Sequence, residues 1–407
     1  MSRTTSTSSA PAPAHVPDRA PGSTDLNSRH AAMALGLSLP ADVVLYLLLP
    51  MYASQFGVTL AEAGMLLAAN RLVRIAGYGY VARFYAQHGD RLTCGIAVVA
   101  AAVCGLGYAT LSGFWALLPL RLMWGLCFAA LNLSTQALAT ADPLGAARRN
   151  GRSRAFIALG PVLALPLGAL LAHWSGPRAI FGILAVFSLL AWFVTRRLPA
   201  APHPMPNPGK ATSRFKCPNS LDSWSFMEGL TLDGLFIVGL SYLGKDLMPG
   251  GAVIVAGVLM ALRYLAEILL SPVGGHMAER FGAERLLVWL SLVTALALVG
   301  FGLVGFGLGW LWSCAALIVV LRALQLPLLP PIVARRTPGP ERVQALAARS
   351  VWRDIGAGTG PLIAGLLLPV ASPPWIYGVA ALLLALAALA CGWSASQPSV
   401  NIQERST

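Results

Sequence analysis

Charged residues are scarce in this chain, and acidic residues are scarcer than basic ones. Only 11% of the 407 residues are charged, and they comprise 29 Lys and Arg against 16 Asp and Glu. An ordinary soluble domain has about 25% charged residues, so this chain has too few to cover a soluble protein of its length. Disorder over most of the chain is excluded as well, because 56% of the residues are hydrophobic. Six cysteines without a CxxC pair are too few for a disulfide scaffold. The class that remains is a polytopic membrane protein.

Strand-like alternation is also missing, and long apolar runs take its place. Such runs predict helices, and a membrane span takes about 20 apolar residues. The sequence contains twelve such segments, six on either side of a polar, proline-rich break, at roughly residues 31–55, 59–81, 92–111, 114–139, 155–173, 179–195, 224–244, 250–273, 286–307, 310–333, 344–369 and 375–394. We therefore predict an all-α polytopic membrane protein with twelve transmembrane helices in two pseudo-symmetric six-helix bundles.

The polar stretches around these segments set the predicted domain boundaries. Residues 1–28 lack the apolar core of a signal peptide, so we expect a disordered cytoplasmic tail. The N-terminal bundle is predicted at 29–198, a cytoplasmic linker at 199–223, the C-terminal bundle at 224–395 and a second cytoplasmic tail at 396–407.

The basic residues predict the orientation of the chain in the membrane. The loops after segments 2, 4, 6, 8 and 10 carry sixteen Lys and Arg, among which we count Arg154, whereas the opposite loops carry only Arg178 and Lys245. Cytoplasmic loops carry an excess of basic residues. Both termini and the central loop are therefore predicted to be cytoplasmic, and we expect the bacterial inner membrane as the location.

The two halves of the sequence repeat. Asp42 in segment 1 and Asp233 in segment 7 occupy matching places. The other matched positions are Gly89 with Gly282, Arg74 with Glu267, Arg121 with Arg322, and Gly160-Pro161 with Gly360-Pro361. Parallel repeats of six helices around a central pathway are typical of transporters.

These features together resemble the major facilitator superfamily (MFS). The run from Gly275 through Glu279 and Arg280 to Gly282 is similar to that family's G-x-L-A-D-R-x-G-R loop, with Glu in place of Asp. In the first half the corresponding loop has Ala86 where the acid is expected. The resemblance implies the MFS fold and an inner gate at Gly275, Glu279, Arg280 and Gly282.

Two further motifs carry the resemblance. Arg121 and Gly125 match the family's R-x-x-x-G motif in helix 4, in which the arginine faces the cavity in proton-coupled members. Gly160-Pro161 resembles the helix 5 motif found mainly in antiporters and is an expected helix kink, as is Gly360-Pro361. The resemblance does not assign a subfamily.

Ionisable residues within the apolar segments are the candidate site. A charge at the bilayer centre costs about 2.5–3.5 kcal/mol, so such residues usually face a cavity or a partner. Asp42 and Asp233 are the predicted proton-coupling residues, because burial favours the neutral carboxyl and a nearby arginine favours the carboxylate. The predicted cavity or substrate residues are Asn70, Arg71, Arg121, Arg263 and Arg322. A structural or gating pair is expected at Arg353 and Asp354, and packing or gating at Arg74 and Glu267.

The resulting functional hypothesis is a secondary active transporter that exports a small organic molecule in exchange for protons. Six arginines against four acids in the apolar segments leave an alternative open, which is proton-coupled uptake of an anionic metabolite. We expect a lipid bilayer, a small-molecule substrate and protons as partners, a monomer, and no nucleic acid, cofactor or metal. No nucleophile–base pattern indicates an enzyme, and no segment is long enough for a signalling domain.

Overall fold

The computed structural model describes residues 21–202, 218–247 and 252–396, and these fold as helices with short connections and without strands. The first half contains α1 (Pro21–Ser38), α2 (Pro40–Met51), α3 (Leu60–Thr110), α4 (Phe114–Ala139), α5 (Ala146–Ser175) and α6 (Ala179–Thr195). The second half contains α7 (Ser220–Glu228), a π-helical turn (Gly229–Leu235), α8 (Phe236–Leu247), α9 (Ala252–Phe281), α10 (Ala283–Gly302), α11 (Leu308–Gln325), α12 (Leu329–Arg336), α13 (Arg342–Leu367) and α14 (Pro373–Ser396). The predicted all-α fold is confirmed.

The helices correspond to the twelve predicted segments after four adjustments. Segment 1 is divided into α1 and α2 just before Pro40, and segment 10 is divided into α11 and α12. Segment 7 comprises α7, the π-helical turn and α8, whereas α3 contains segments 2 and 3, with a break at Gly89. By length and composition alone, seven described helices could cross a membrane, and α3 is one of them.

Two predicted boundaries are wrong within the described residues. The first helix begins at Pro21, inside the predicted tail 1–28, because its polar first turns contact α5: Ser28 hydrogen bonds with Ser153 at 2.9 Å and Asp25 pairs with Arg149 at 3.5 Å. The linker 199–223 ends early because α7 begins at Ser220, where Asn219 and Asp222 form a capping box. Residues 1–20, 203–217 and 397–407, which hold the rest of the tails and linker, lie outside the described residues.

The backbone repeats where the sequence repeats. Gly89 and Gly282 both adopt positive φ, 74° and 87°, at the two turns that the alignment matches. This conformation is easily reached only by glycine. At Gly160 an added Cβ would meet the backbone of α1 in segment 1, and at Gly360 it would lie 2.5 Å from the carbonyl oxygen of Leu230 in segment 7. Both prolines lie inside continuous helices, and the kinks expected there stay predictions.

Each half has its own apolar core. In the first half the ring of Phe181 packs against Tyr108, with 5.7 Å between ring centroids. In the second half Phe301 packs against Tyr377 at 4.9 Å. Large apolar side chains also cover the outside, as Leu296 and Leu366 show with exposures of 72% and 74%. Such an outer surface is suited to lipid rather than to water.

The loops gather at two opposite ends of the bundle, as the charge pattern predicts. At one end Arg91, after segment 2, donates to the carbonyl of Leu198, after segment 6, at 2.9 Å. Arg336 pairs there with Glu284 at 2.8 Å. We call this the basic end. At the other end Arg178 donates to Ser112 at 2.7 Å.

Candidate functional site

A cavity of about 500 Å³ lies between the two halves. Ionisable side chains from both halves line it: Asp42, Arg71, Arg74, Arg154, Glu228, Asp233, Arg263, Glu267, Arg322, Arg349, Arg353 and Asp354. Ligand cavities are commonly of about 300–1,000 Å³, so this one can hold a small organic molecule. Nearly every charge that the sequence places in an apolar segment therefore faces a cavity instead of lipid.

In the first half, Asp42 forms an ion pair with Arg121. Arg121 is fully buried, and its guanidinium donates through one nitrogen to Asp42 and through Nε to the carbonyl of Leu66 at 3.1 Å. The amide of Asn70 donates to both carboxylate oxygens of Asp42, at 3.2 and 3.4 Å. The Arg121 guanidinium also lies over the ring of Tyr46, 5.2 Å from its centroid. Asp42 thus has one charged partner and one neutral partner.

In the second half, Asp233 is held by three arginines. It lies in the π-helical turn, a type of helix defect that is frequent at functional sites. Arg263 and Arg322 each donate to one carboxylate oxygen at 2.8 Å, and Arg353 donates to the other at 2.8 Å. Arg322 also donates to Glu267 at 2.7 Å. This is a dense network of charge-assisted hydrogen bonds.

The two clusters are related by the sequence repeat. Asp42 pairs with Arg121 and Asp233 pairs with Arg322, and both members of each pair are at matched positions. Asn70 and Arg263 have the same separation in sequence as Gly89 and Gly282, so the neutral amide stands where the second half has an arginine. The halves are alike in architecture and differ in charge.

Three predicted site residues have partners that the sequence does not indicate. Arg71 does not pair with Asp42 and instead donates to the carbonyl of Ala357 in the opposite half at 2.6 Å. Arg353 and Asp354 are adjacent but belong to different contacts. Arg353 joins the Asp233 cluster, whereas Asp354 pairs across the halves with Arg74 at 3.3 Å.

Three charged residues that line the cavity were not predicted from the sequence: Arg154, Glu228 and Arg349. Arg154 was counted with the loops, but α5 begins at Ala146, so Arg154 lies about 12 Å along the helix and lines the cavity. Glu228 was passed over and pairs with Arg353 at 2.8 Å. Its separation of five residues from Asp233 gives the two acids one face only where the helix makes a π turn. No periodicity signal in the sequence marks such a turn.

At the basic end, two of the four predicted loop gate residues, Glu279 and Gly275, contact the opposite half. Glu279 accepts a hydrogen bond from the backbone N–H of Arg148 at 3.4 Å, in the first turn of α5, where the helix dipole favours an anion. An added Cβ at Gly275 would lie 2.5 Å from the carbonyl oxygen of Ala147. Gly282 begins α10 with its positive φ, and Arg280 lies over the ring of its own neighbour Phe281 at 5.5 Å.

Two further hydrogen bonds join the halves at this end. Asn150 donates to the carbonyl of Pro327 at 3.0 Å, and Arg342 donates to the carbonyl of Thr140 at 2.6 Å. The two halves are therefore joined at the basic end by polar contacts together with close backbone packing.

We expect Gly275→Ala to open the basic end. The new methyl group would meet backbone atoms of Ala147 and Arg148 that cannot turn away, so α9 and α5 must separate. A cysteine introduced at Gln136, which lines the cavity, should then react several-fold faster with a polar maleimide. Gly182→Ala, which meets no atom within 4 Å, is the control and should leave the rate unchanged. An equal rate in both variants would contradict the role assigned to this contact.

Known proteins match this chain in sequence and in fold. The model of the family described as Major Facilitator Superfamily matches residues 31–244 and 225–405. Over 178 residues the chain is 34% identical to a chloramphenicol resistance protein of Streptomyces lividans. The aligned region covers 42% of this chain and 43% of that protein. It is 24% identical over 341 residues to the multidrug resistance protein MdtG of Salmonella paratyphi A. That alignment covers 77% of this chain and 82% of MdtG.

Solved structures agree with this fold. The human organic anion transporter MFSD10 superposes with a TM-score of 0.75 at 17% identity, covering 92% of this chain and 100% of that one. The proton:xylose symporter XylE superposes with a TM-score of 0.73 at 14% identity, covering 90% and 94%. The family model accounts for both halves, and the site is a charged cavity between them. The chain therefore belongs to the Major Facilitator Superfamily. It is a transporter of small molecules across a lipid bilayer rather than an enzyme.

Proposed function

We propose that this transporter exports a small organic molecule in exchange for protons, and that Asp42 carries the proton. The observation that carries the proposal is the ion pair between Asp42, which lines the central cavity, and Arg121, which is fully buried behind it and is not part of the cavity lining. A carboxylate at this depth is costly unless it is paired or neutralised. Asp42 can change from the paired to the neutral form, because a bound proton removes its charge when Arg121 moves away.

Asp42 is better suited to binding and releasing a proton than Asp233, although the two residues occupy matching places in the sequence repeat. A proton on Asp42 displaces one guanidinium and two contacts of an amide that are 3.2 Å or longer. A proton on Asp233 would displace hydrogen bonds from three guanidiniums at 2.8 Å. We therefore assign Asp233 to anchoring the second half, and Asp42 to the coupling.

The coupling follows from the competition for Arg121. With Asp42 ionised, Arg121 is held within the first half between Asp42 and the carbonyl of Leu66. With Asp42 protonated, the ion pair is lost, and Arg121 has donors available for cargo or for a rearranged cavity wall. A proton and cargo thus alter the same charge, which links their binding.

The contacts between the halves supply the second requirement, which is alternating access. Under the positive-inside rule the basic end faces the cytoplasm. Entry of cargo from that side requires the contacts of Glu279 with Arg148 and of Asn150 with Pro327 to part. These are single hydrogen bonds, so they can break and reform in each cycle. Export is favoured by the two relatives, which are named as resistance proteins, and by the helix 5 motif at Gly160-Pro161.

The proposal is tested with purified protein in proteoliposomes that contain a pH-sensitive dye. Adding chloramphenicol, or a panel of lipophilic drugs, to liposomes with an imposed pH gradient should accelerate collapse of that gradient for at least one compound. The same compound should accumulate against its own gradient only when protons move in the opposite direction. Transport that is indifferent to the pH gradient for every transported compound would overturn the proposal.

Uptake of an anionic metabolite is the second candidate, and it is favoured by the surplus of arginine in the cavity. In the same liposomes it predicts that cargo and protons move in the same direction. The sign of the pH change that accompanies cargo movement therefore separates the two candidates.

A further inference from the structure

Among the described residues, the ion pairs and hydrogen bonds of the cavity leave one guanidinium without a partner. The carboxylates are Asp42, Asp222, Glu228, Asp233, Glu267 and Asp354, and each pairs with at least one arginine. Of the arginines around the cavity, only Arg71 and Arg154 have no carboxylate within 4.0 Å among the described residues. Arg71 still donates to the carbonyl of Ala357 at 2.6 Å. Arg154 has no hydrogen-bond acceptor in the part of the chain that the structure describes.

The surroundings of Arg154 do not compensate its charge. The charged groups that act on it are Arg353 and Arg322, which repel it, and Glu267 and Glu228, which attract it. Both of these acids are already engaged, Glu267 by Arg322 at 2.7 Å and Glu228 by Arg353 at 2.8 Å. A guanidinium has five N–H donors, and leaving them unpaired in a site of low dielectric is costly.

We propose that Arg154 binds an anionic group of the cargo, so that the transported molecule is an organic anion such as a carboxylate, sulfonate or phosphate ester. The inference rests on the proposed function, because it places cargo in the central cavity. The lining of the same cavity suits the rest of such a molecule. Trp224, Leu329, Val333 and Leu346 line the cavity with apolar surface, and Gln136 and Gln325 add amide groups. The anionic head forms bidentate hydrogen bonds with the guanidinium, and the apolar body fills the remaining volume.

This site predicts a preference among compounds that differ only in charge. The test uses the purified full-length protein in detergent, at constant chloride concentration and with no pH gradient. Thermal unfolding is followed with benzoate against benzamide, benzenesulfonate against benzenesulfonamide, and inorganic phosphate alone. We expect each organic anion to raise the unfolding temperature above the value with its neutral partner, and phosphate alone to give the smaller shift because it has no apolar body.

Variants then assign the preference to Arg154. Arg154→Gln should weaken the apparent affinity for benzoate by about tenfold or more, because it removes a charged hydrogen bond. Arg154→Lys should restore part of the affinity, since it keeps the charge and loses the bidentate geometry. Arg152→Gln is the matched control: it lies two residues away on α5, is 51% exposed and pairs with Asp25 at 3.8 Å. Its affinity for benzoate should equal that of the wild type.

A purely structural role for Arg154 predicts a different result. Arg154 is partly buried and faces other arginines, so removing its charge should raise the unfolding temperature of the ligand-free Arg154→Gln protein, by about 2 °C or more. A structural arginine would lower it. Equal stabilisation by benzoate and benzamide, benzoate affinity kept in Arg154→Gln, or phosphate as effective as benzoate would each overturn the inference. These measurements involve no proton gradient, so their outcome does not depend on proton coupling. Drug flux that is unchanged in Arg154→Gln would contradict the anion site and leave the proposed proton-coupled export intact.

Discussion

Asp42→Asn is expected to reduce proton-driven transport to the level of liposomes without protein. The substitution keeps the shape of the side chain and the contact with Asn70, but it removes the group that binds a proton and the charge that holds Arg121. Binding of cargo and its exchange across the membrane without a pH gradient should continue, because the cavity and both sets of contacts between the halves are intact. Flux is measured in proteoliposomes, with and without an imposed gradient, on protein whose elution and unfolding temperature match the wild type.

Controls separate coupling from general damage. Asp142→Asn removes a carboxyl that is 40% exposed at the basic end and should leave gradient-driven flux unchanged. Asp42→Glu, which retains a titratable carboxyl on a longer side chain, should recover part of it. The assignment is wrong if Asp42→Asn accumulates cargo against its gradient as well as the wild type, or if exchange without a gradient is lost to the same extent as driven flux.

The repeat in the sequence predicted more of the site than any single motif did. Matching the halves aligned Arg121 with Arg322 and Asp42 with Asp233, and the structure pairs each acid with the arginine of its own half. The pattern works because equivalent positions in a structural repeat have equivalent neighbours. The all-helical fold was predicted for a related reason: long apolar runs allow few structures in a membrane.

The same reasoning failed where side chains choose among several partners. The sequence does not indicate that Arg71 contacts the opposite half, yet its guanidinium donates to the carbonyl of Ala357 there. The rotation of a helix about its axis decides which neighbouring helix its arginine faces. An apolar run without a polar stripe does not predict that rotation. Arg154 was missed because α5 extends beyond its apolar run, a helix start that hydropathy does not mark. The π-helical turn at Asp233 is likewise set by packing against α13, where Gly234 and Gly360 approach closely.

Arg322→Gln is expected to lower the free energy of unfolding by about 3 kcal/mol. Arg322 is buried and donates to both Asp233 and Glu267, so its loss leaves two acids with less compensation than before. Arg263 is the arginine that remains near both, at 2.8 Å from Asp233 and 3.7 Å from Glu267. Reversible unfolding in mixed micelles measures the change. Arg336→Gln breaks an ion pair with Glu284 whose side chains are 27% and 34% exposed, and it should cost less than about 1 kcal/mol.

The cause of this loss can be tested by removing the acid as well. If the cost arises from uncompensated negative charge, Glu267→Gln added to Arg322→Gln should return a large part of the stability, because the second change removes one of the two acids left behind. Additive losses from the two changes would instead mean that packing of the Arg322 side chain dominates. The distinction bears on transport, because a network held by charge balance, and not by shape, can rearrange when a proton or an anion changes that balance. A stability effect that depends on charge would therefore support the assignment of Asp233 as an anchor that holds the second half through charge balance.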